Sequence, residues 1–297
     1  MAVLVLPFLD ALAHDLVQPD DGPAIDFSRP AGEPALTAAD SVSWRVFKNP
    51  VALFVGGVAA VILELADPAV RSGVWEHSSF RRDAVARLRR TGLAAMVTVY
   101  GPRRTAEAMI AQVGRLHARV RGRTPAGEIY EANDPALLRW VHATAAFGFA
   151  EAYDRYVRPL GERGFDRLYG EGAASACLYG AIDAPLSRAA VMDLIDSKRD
   201  RLQASPIPFE FLDIMRRAPV LPAPLRPLQR LLIRAAVDLV PAWIRQRLGL
   251  DDSAGLHRWQ RPVVRLIGRL ADRVLLRSSP AVQSCLRLGL PADYLYR

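Results

Sequence analysis

The chain has 297 residues, of which 51% are hydrophobic and 24% charged, enough for a substantial core in one large or two small domains. Its net charge of +8 comes from 39 basic and 31 acidic side chains, the bases mostly Arg scattered among the acids. No basic block is interleaved with aromatics, so nucleic-acid binding is not indicated, whereas contact with an anionic membrane, where apolar compounds collect, stays compatible with the charge. Cys177 and Cys285 lie far apart and form no metal or disulfide spacing, so they read as free thiols.

Met1 to Pro7 is apolar but lacks a basic leader and a small-residue cleavage site, so a cytoplasmic location is expected, with peripheral membrane contact left open. Asp20 to Thr37, rich in Pro, Gly and acids, reads as an extended arm or loop. Val51 to Leu63 is apolar, too short for a bilayer, and suits a buried helix. Helical patterns then run through about 50–65, 68–77, 80–99, 105–121, 135–158, 163–178, 188–203, 225–247, 255–276 and 280–288. Asp67-Pro68, Asp134-Pro135 and Ser279-Pro280 each place a capping side chain before a first-turn proline, and Thr105 and Ser187 are further caps. Gly122 to Asn133 reads as a loop, and 202–227, with six prolines, as a connection. No long alternation requires a sheet. The expected fold is all-α, a single globular multi-helix domain: an arm over 1–43, a core over 44–204, and a proline-rich connection with a C-terminal helical subdomain over 205–297.

Two helical stretches carry chemistry. In Ala106 to Arg121 the apolar positions Ala106, Met109, Ile110, Val113, Leu116 and Val120 form one face, and His117 falls on it. An imidazole there must be hydrogen-bonded, neutral or bound to a metal. In Arg87-Leu-Arg-Arg-Thr91, Arg87, Arg90 and Thr91 share one side. Together they could form the two sides of a haem pocket; the plainer readings are a satisfied core histidine and a solvated ion-pair network. His77 and His142 are rival ligands, His14 and His257 more peripheral ones.

The ordered set Gly56-Gly57, Leu65-Ala-Asp-Pro68, Gly73-Val-Trp-Glu-His77, Arg87-Leu-Arg-Arg-Thr91, His117-Ala-Arg-Val-Arg-Gly122, Gly127-Glu-Ile-Tyr130, Leu138-Arg-Trp-Val-His-Ala-Thr144 and Pro241-Ala-Trp-Ile-Arg245 resembles the bacterial MpaB/rubber-oxygenase family, from about Trp44 onward. The resemblance implies a nearly all-helical haem b oxygenase that acts with dioxygen on apolar, isoprenoid-like substrates. It makes His117 the proximal iron ligand and Arg87 and Thr91 the distal pair. Arg90 stands where rubber oxygenases carry an iron-capping Lys; a guanidinium is a poor ligand, so that capping should not carry over. Glu64 and Asp67 stand where many relatives carry Gln and His. Glu64 or Glu76 could serve as a base, or simply pair with arginines. Arg119, Arg121 and Arg123 are candidates for the haem propionates, with Arg121 the favoured one. The alternatives are a non-catalytic helical carrier or sensor of haem or lipid, and a purely structural helical domain. No motif for NAD, flavin or ATP is present.

Overall fold

A computed structural model describes residues 25–297. Expectations placed on Met1 to Pro7, on His14 and on the first residues of the 20–37 segment lie outside the described residues. The chain is 64% helical, with thirteen α-helices and one short hairpin among the described residues, an all-α domain. In chain order these are α1 (Val42–Phe47), α2 (Pro50–Glu64), α3 (Pro68–His77), α4 (Ala84–Tyr100), α5 (Arg103–His117), β1 (Arg121–Arg123), β2 (Ile129–Glu131), α6 (Pro135–Tyr156), α7 (Gly161–Tyr179), α8 (Arg188–Ser197), α9 (Ile207–Arg217), α10 (Arg226–Leu239), α11 (Ala242–Leu248), α12 (Gln260–Ala271) and α13 (Pro280–Arg287).

The axis of the fold is α2, the apolar helix read from Val51 to Leu63. It crosses α6 backbone to backbone: a Cβ on Gly56 would lie 2.7 Å from the Gly148 carbonyl oxygen, and one on Gly148 2.3 Å from that of Gly56. Only glycine at both positions permits this approach. Asn49 starts α2, its Oδ1 accepting from the amides of Val51 at 3.1 Å and Ala52 at 3.0 Å, while its Nδ2 donates to the Gly268 carbonyl on α12 at 3.0 Å. The main apolar cluster runs from Val42 through α2 and α6 to α10, α11 and Val264 of α12, so the C-terminal helices share the core of the earlier ones. Among the described residues no single helix is long and apolar enough to cross a membrane; α2 and α3 pass that test only as a pair bent by 111°.

Asp67, Asp134, Ser187 and Ser279 cap their helices as expected. Thr105 does not: α5 begins two residues earlier, after Pro102. Helix α5 also ends at His117 rather than Arg121, and the segment beyond it is a hairpin pairing Arg121 with Glu131 and Gly122 with Tyr130. The long 225–247 pattern is two helices broken at Pro241, which cannot donate to the preceding turn. The proline-dense connection contains α9, because Pro208 sits in its first turn, where a missing N–H costs nothing. Buried Gln229 fastens that stretch to α10, donating to the carbonyls of Met215 at 2.7 Å and Ala218 at 2.8 Å and accepting from Leu221 at 3.1 Å. Neither cysteine forms a disulfide: Cys177 is exposed and Cys285 buried.

Candidate active site

Four helices present half-buried stripes that approach one another in pairs, a set termed the ring. Gly57 and Glu64 lie seven residues apart on α2, Arg87 and Thr98 eleven apart on α4, His142 and Phe149 seven apart on α6, and Gly172 and Tyr179 seven apart on α7, so each pair shares one helix face. A Cβ on Gly57 would lie 3.9 Å from the Phe149 ring, and one on Gly172 would lie 3.4 Å from Cε1 of His142. The hydroxyls of Tyr179 and Thr98 are 3.0 Å apart. Arg87 closes the ring by its charge interaction with Glu64. All eight of these residues are half-buried.

The polar end of the ring is built by the ends of α2 and α5 and the first turns of α4. Burial pushes the Glu64 carboxyl up to about 7, and the Arg87 guanidinium pulls it down by less. The Glu64 carboxyl has no hydrogen bond and no contact ion pair among the described residues. Burial also lowers the pKa of Arg87, which Glu64 opposes and Arg90 reinforces. His117, the last residue of α5, is half-buried; burial and then the Arg87 charge hold its imidazole below the usual histidine range. Both causes favour the neutral imidazole, and neither ring nitrogen has a hydrogen bond among the described residues. Arg87 thus couples electrostatically to both Glu64 and His117.

Arg87 and Thr91 form a local unit. A guanidinium Nη1–H of Arg87 donates to the Thr91 hydroxyl, which in turn donates to the Arg87 carbonyl at 2.9 Å. Arg90 points elsewhere: it is exposed and donates to Ser79 Oγ at 2.7 Å. Arg121 is exposed on β1, beyond the end of the helix expected to carry it. Leu116, placed on the apolar face of that helix by its spacing, is exposed as well, because only Ala106 and Ile110 of α5 are fully buried. Asp67 is structural: besides capping α3 it accepts from Arg201 Nε at 2.8 Å. Glu76 lies beside Tyr130 and, after burial, raises the phenol's pKa; His77 meets the Tyr130 ring edge-on at 6.4 Å between centroids.

His142 is a stronger neighbour of this site than its sequence context suggests. Burial alone drives its imidazole down to about 4, and it has no hydrogen bond among the described residues. Phe149, Gly172 and the Thr98–Tyr179 pair carry no motif of their own, whereas Gly57 belongs to Gly56-Gly57. The available signal is the helical spacing that puts Phe149 seven residues from His142, Thr98 eleven from Arg87, and Tyr179 seven from Gly172.

Such a site offers an imidazole held toward its neutral form, a partly desolvated cation and an acid that titrates near neutrality, beside half-buried apolar side chains. Residues 44–272 match the family model described as the catalytic domain of the ER-bound oxygenase mpaB/B′ and rubber oxygenases, and the whole ring lies inside that span. The chain belongs to this family. Membership of the mpaB/rubber-oxygenase family makes the domain an oxygenase-type enzyme that uses a small-molecule substrate and dioxygen. No curated protein and no solved structure matches the chain.

Among the described residues no three His, Cys, Asp or Glu side chains gather to hold a metal ion. Haem iron needs only one protein ligand, and the residues fit that need: an imidazole held toward its neutral form, without a hydrogen bond among the described residues, near half-buried apolar side chains that include Phe54, Val61 and Phe149.

Proposed function

We propose that the domain is a haem b-dependent oxygenase acting with dioxygen on an apolar substrate that carries a carbon–carbon double bond. The observation that carries this reading is His117, half-buried at the end of α5, held toward its neutral form by burial and the Arg87 charge, and without a hydrogen bond among the described residues. His117 would hold the iron, and when bound the haem supplies the redox chemistry that no side chain here carries. Arg121, exposed on the hairpin four residues past His117, would meet the haem's carboxylates.

The chain's own residues then do three things. Arg87 presents a fixed positive charge, locked by Thr91, to negative charge that develops on oxygen during the reaction; preorganised charges of this kind are the largest usual contribution to catalysis. Glu64, with a pKa of about 7, takes up a proton on its carboxylate from a substrate carbon and returns it near neutral pH. The apolar stripes of α2 and α6 exclude water and receive the substrate's hydrocarbon. Arg90, bonded to Ser79, steadies the start of α4 rather than the iron.

The test is the purified protein's pyridine haemochrome spectrum, together with oxygen uptake on adding an unsaturated terpenoid. One haem per chain with uptake that Glu64→Gln slows supports the reading. One haem without uptake for any unsaturated substrate makes the domain a haem carrier or sensor. No haem, with none taken up from added haemin, overturns the proposal.

A further inference from the structure

Helix α12 turns one face into the core and leaves the other outside. Val264, Gly268 and Asp272 are buried, and a Cβ on Gly268 would lie 2.3 Å from the Tyr156 carbonyl oxygen, so the helix is pressed against the end of α6. The outer face carries Trp259 (69% exposed), Val263 (38%), Leu266 (58%) and Leu270 (44%). Their spacing of four, three and four residues makes one continuous apolar stripe on the surface. Scattered exposed leucines are ordinary, but an aligned row with a tryptophan at its head is the mark of an interaction surface.

The charges beside the stripe select the partner. Arg258, Arg261, Arg265, Arg269 and Arg273 are all exposed, and residues 256–271 contain no acid. Two of these arginines are held in place from below: Arg261 pairs with Asp238 at 3.0 Å, and Arg265 donates to the Arg155 carbonyl at 3.0 Å. An apolar row flanked by arginines, with Trp at one end, has the composition of a helix lying in the plane of a membrane surface. There its Leu and Val side chains enter the acyl boundary and its Arg stems reach back to the phosphates. A protein groove would need the apolar row alone; the acid-free row of cations is complementary to anionic phospholipid headgroups.

We propose that α12 seats the domain on an anionic phospholipid bilayer. The inference rests on the outer face of α12 and is independent of the haem reading. The seat would bring the enzyme to the phase in which apolar compounds dissolve.

The experiment is co-sedimentation of the full chain with vesicles of phosphatidylcholine containing one third phosphatidylserine, against vesicles of phosphatidylcholine alone. The wild-type chain is expected to bind the anionic vesicles and to leave them as salt is raised. Leu266→Asp with Leu270→Asp should weaken that binding about tenfold or more, with unchanged circular dichroism because both positions face solvent. Arg265→Gln with Arg269→Gln should erase the preference for phosphatidylserine. A Trp fluorescence blue shift on binding should be lost in Trp259→Phe. Equal binding to both vesicle types, or double variants that bind like the wild-type chain, would overturn the proposal. So would a stable dimer that ignores vesicles and is dissociated by the same Asp substitutions, which would make the stripe a protein interface.

Discussion

Two buried charge clusters flank the central helix α2 and are built in opposite ways. At its N-terminal end Asp272 is saturated: Lys48 Nζ lies 2.9 Å from its carboxylate, Arg158 Nε 3.0 Å, and Asn49 Nδ2 3.4 Å. At its C-terminal end Glu64 has only the charge of Arg87 nearby and no hydrogen bond among the described residues. Burial lowers the Lys48 pKa, but Asp272 offsets much of that cost, whereas Glu64 keeps a pKa of about 7. A buried charge whose partners are all supplied stabilises a packing arrangement; one left short of partners costs stability and keeps its reactivity. The first cluster locks α12 and the start of α2 together, and the second is where chemistry is available.

This contrast fails if the two acids respond alike to removal. The largest effect is expected at Asp272→Ala, which strands a buried ammonium: urea unfolding at pH 7 should show a loss of about 3–5 kcal/mol. A loss below about 1 kcal/mol would mean that the cluster is solvated and not structural.

Glu64→Gln should act in the opposite direction. Its folded pKa of about 7 exceeds its ordinary 4.5, so the wild-type fold binds the proton more tightly than the unfolded chain. Wild-type stability from this group is therefore greatest below pH 4.5 and is lost as pH rises to 7. The variant should be more stable than wild type by about 3 kcal/mol at most at pH 8, and by almost nothing at pH 4.5. A variant less stable at pH 8 would show that Glu64 is a satisfied structural acid.

His142 sharpens the same distinction with the sign reversed. Its folded pKa of about 4 lies below the ordinary 6.5, so its contribution is present above pH 6.5 and is lost as pH falls toward 4. Relative to wild type, His142→Phe should gain about 2 kcal/mol between pH 7 and pH 5. A pH-independent difference would mean that the imidazole is open to solvent. The smallest effect belongs to Thr91→Val, which removes the hydroxyl shared with Arg87 on an exposed turn and should cost about 1 kcal/mol in chemical denaturation.

The sequence made the helices legible wherever a capping side chain met a first-turn proline, as at Asp67, Asp134 and Ser279, because both signals act within one turn. It misplaced what tertiary packing decides. The hairpin after His117 was hidden because only three residues pair on each strand. Helix α9 was hidden because prolines that start a helix look the same as prolines that break a connection. At the site, His117, Arg87 and Thr91 stood out by residue type. Arg90 and Arg121 stood out equally; the fold bonds the first to Ser79 and leaves the second exposed on β1, surroundings that residue type alone does not give. Burial cannot be read from a single helix face, so the desolvation that sets Glu64 near 7 and His142 near 4 became visible only once four helices had been brought together.

The most direct measurement of the central claim is the Soret spectrum and haem stoichiometry of His117→Gly beside His142→Gly, each with and without added imidazole. The account predicts that His117→Gly loses stoichiometric haem and regains it, with a shifted Soret band, when imidazole fills the place of the missing ring, while His142→Gly keeps the wild-type spectrum. Haem retained by His117→Gly and lost by His142→Gly would contradict it.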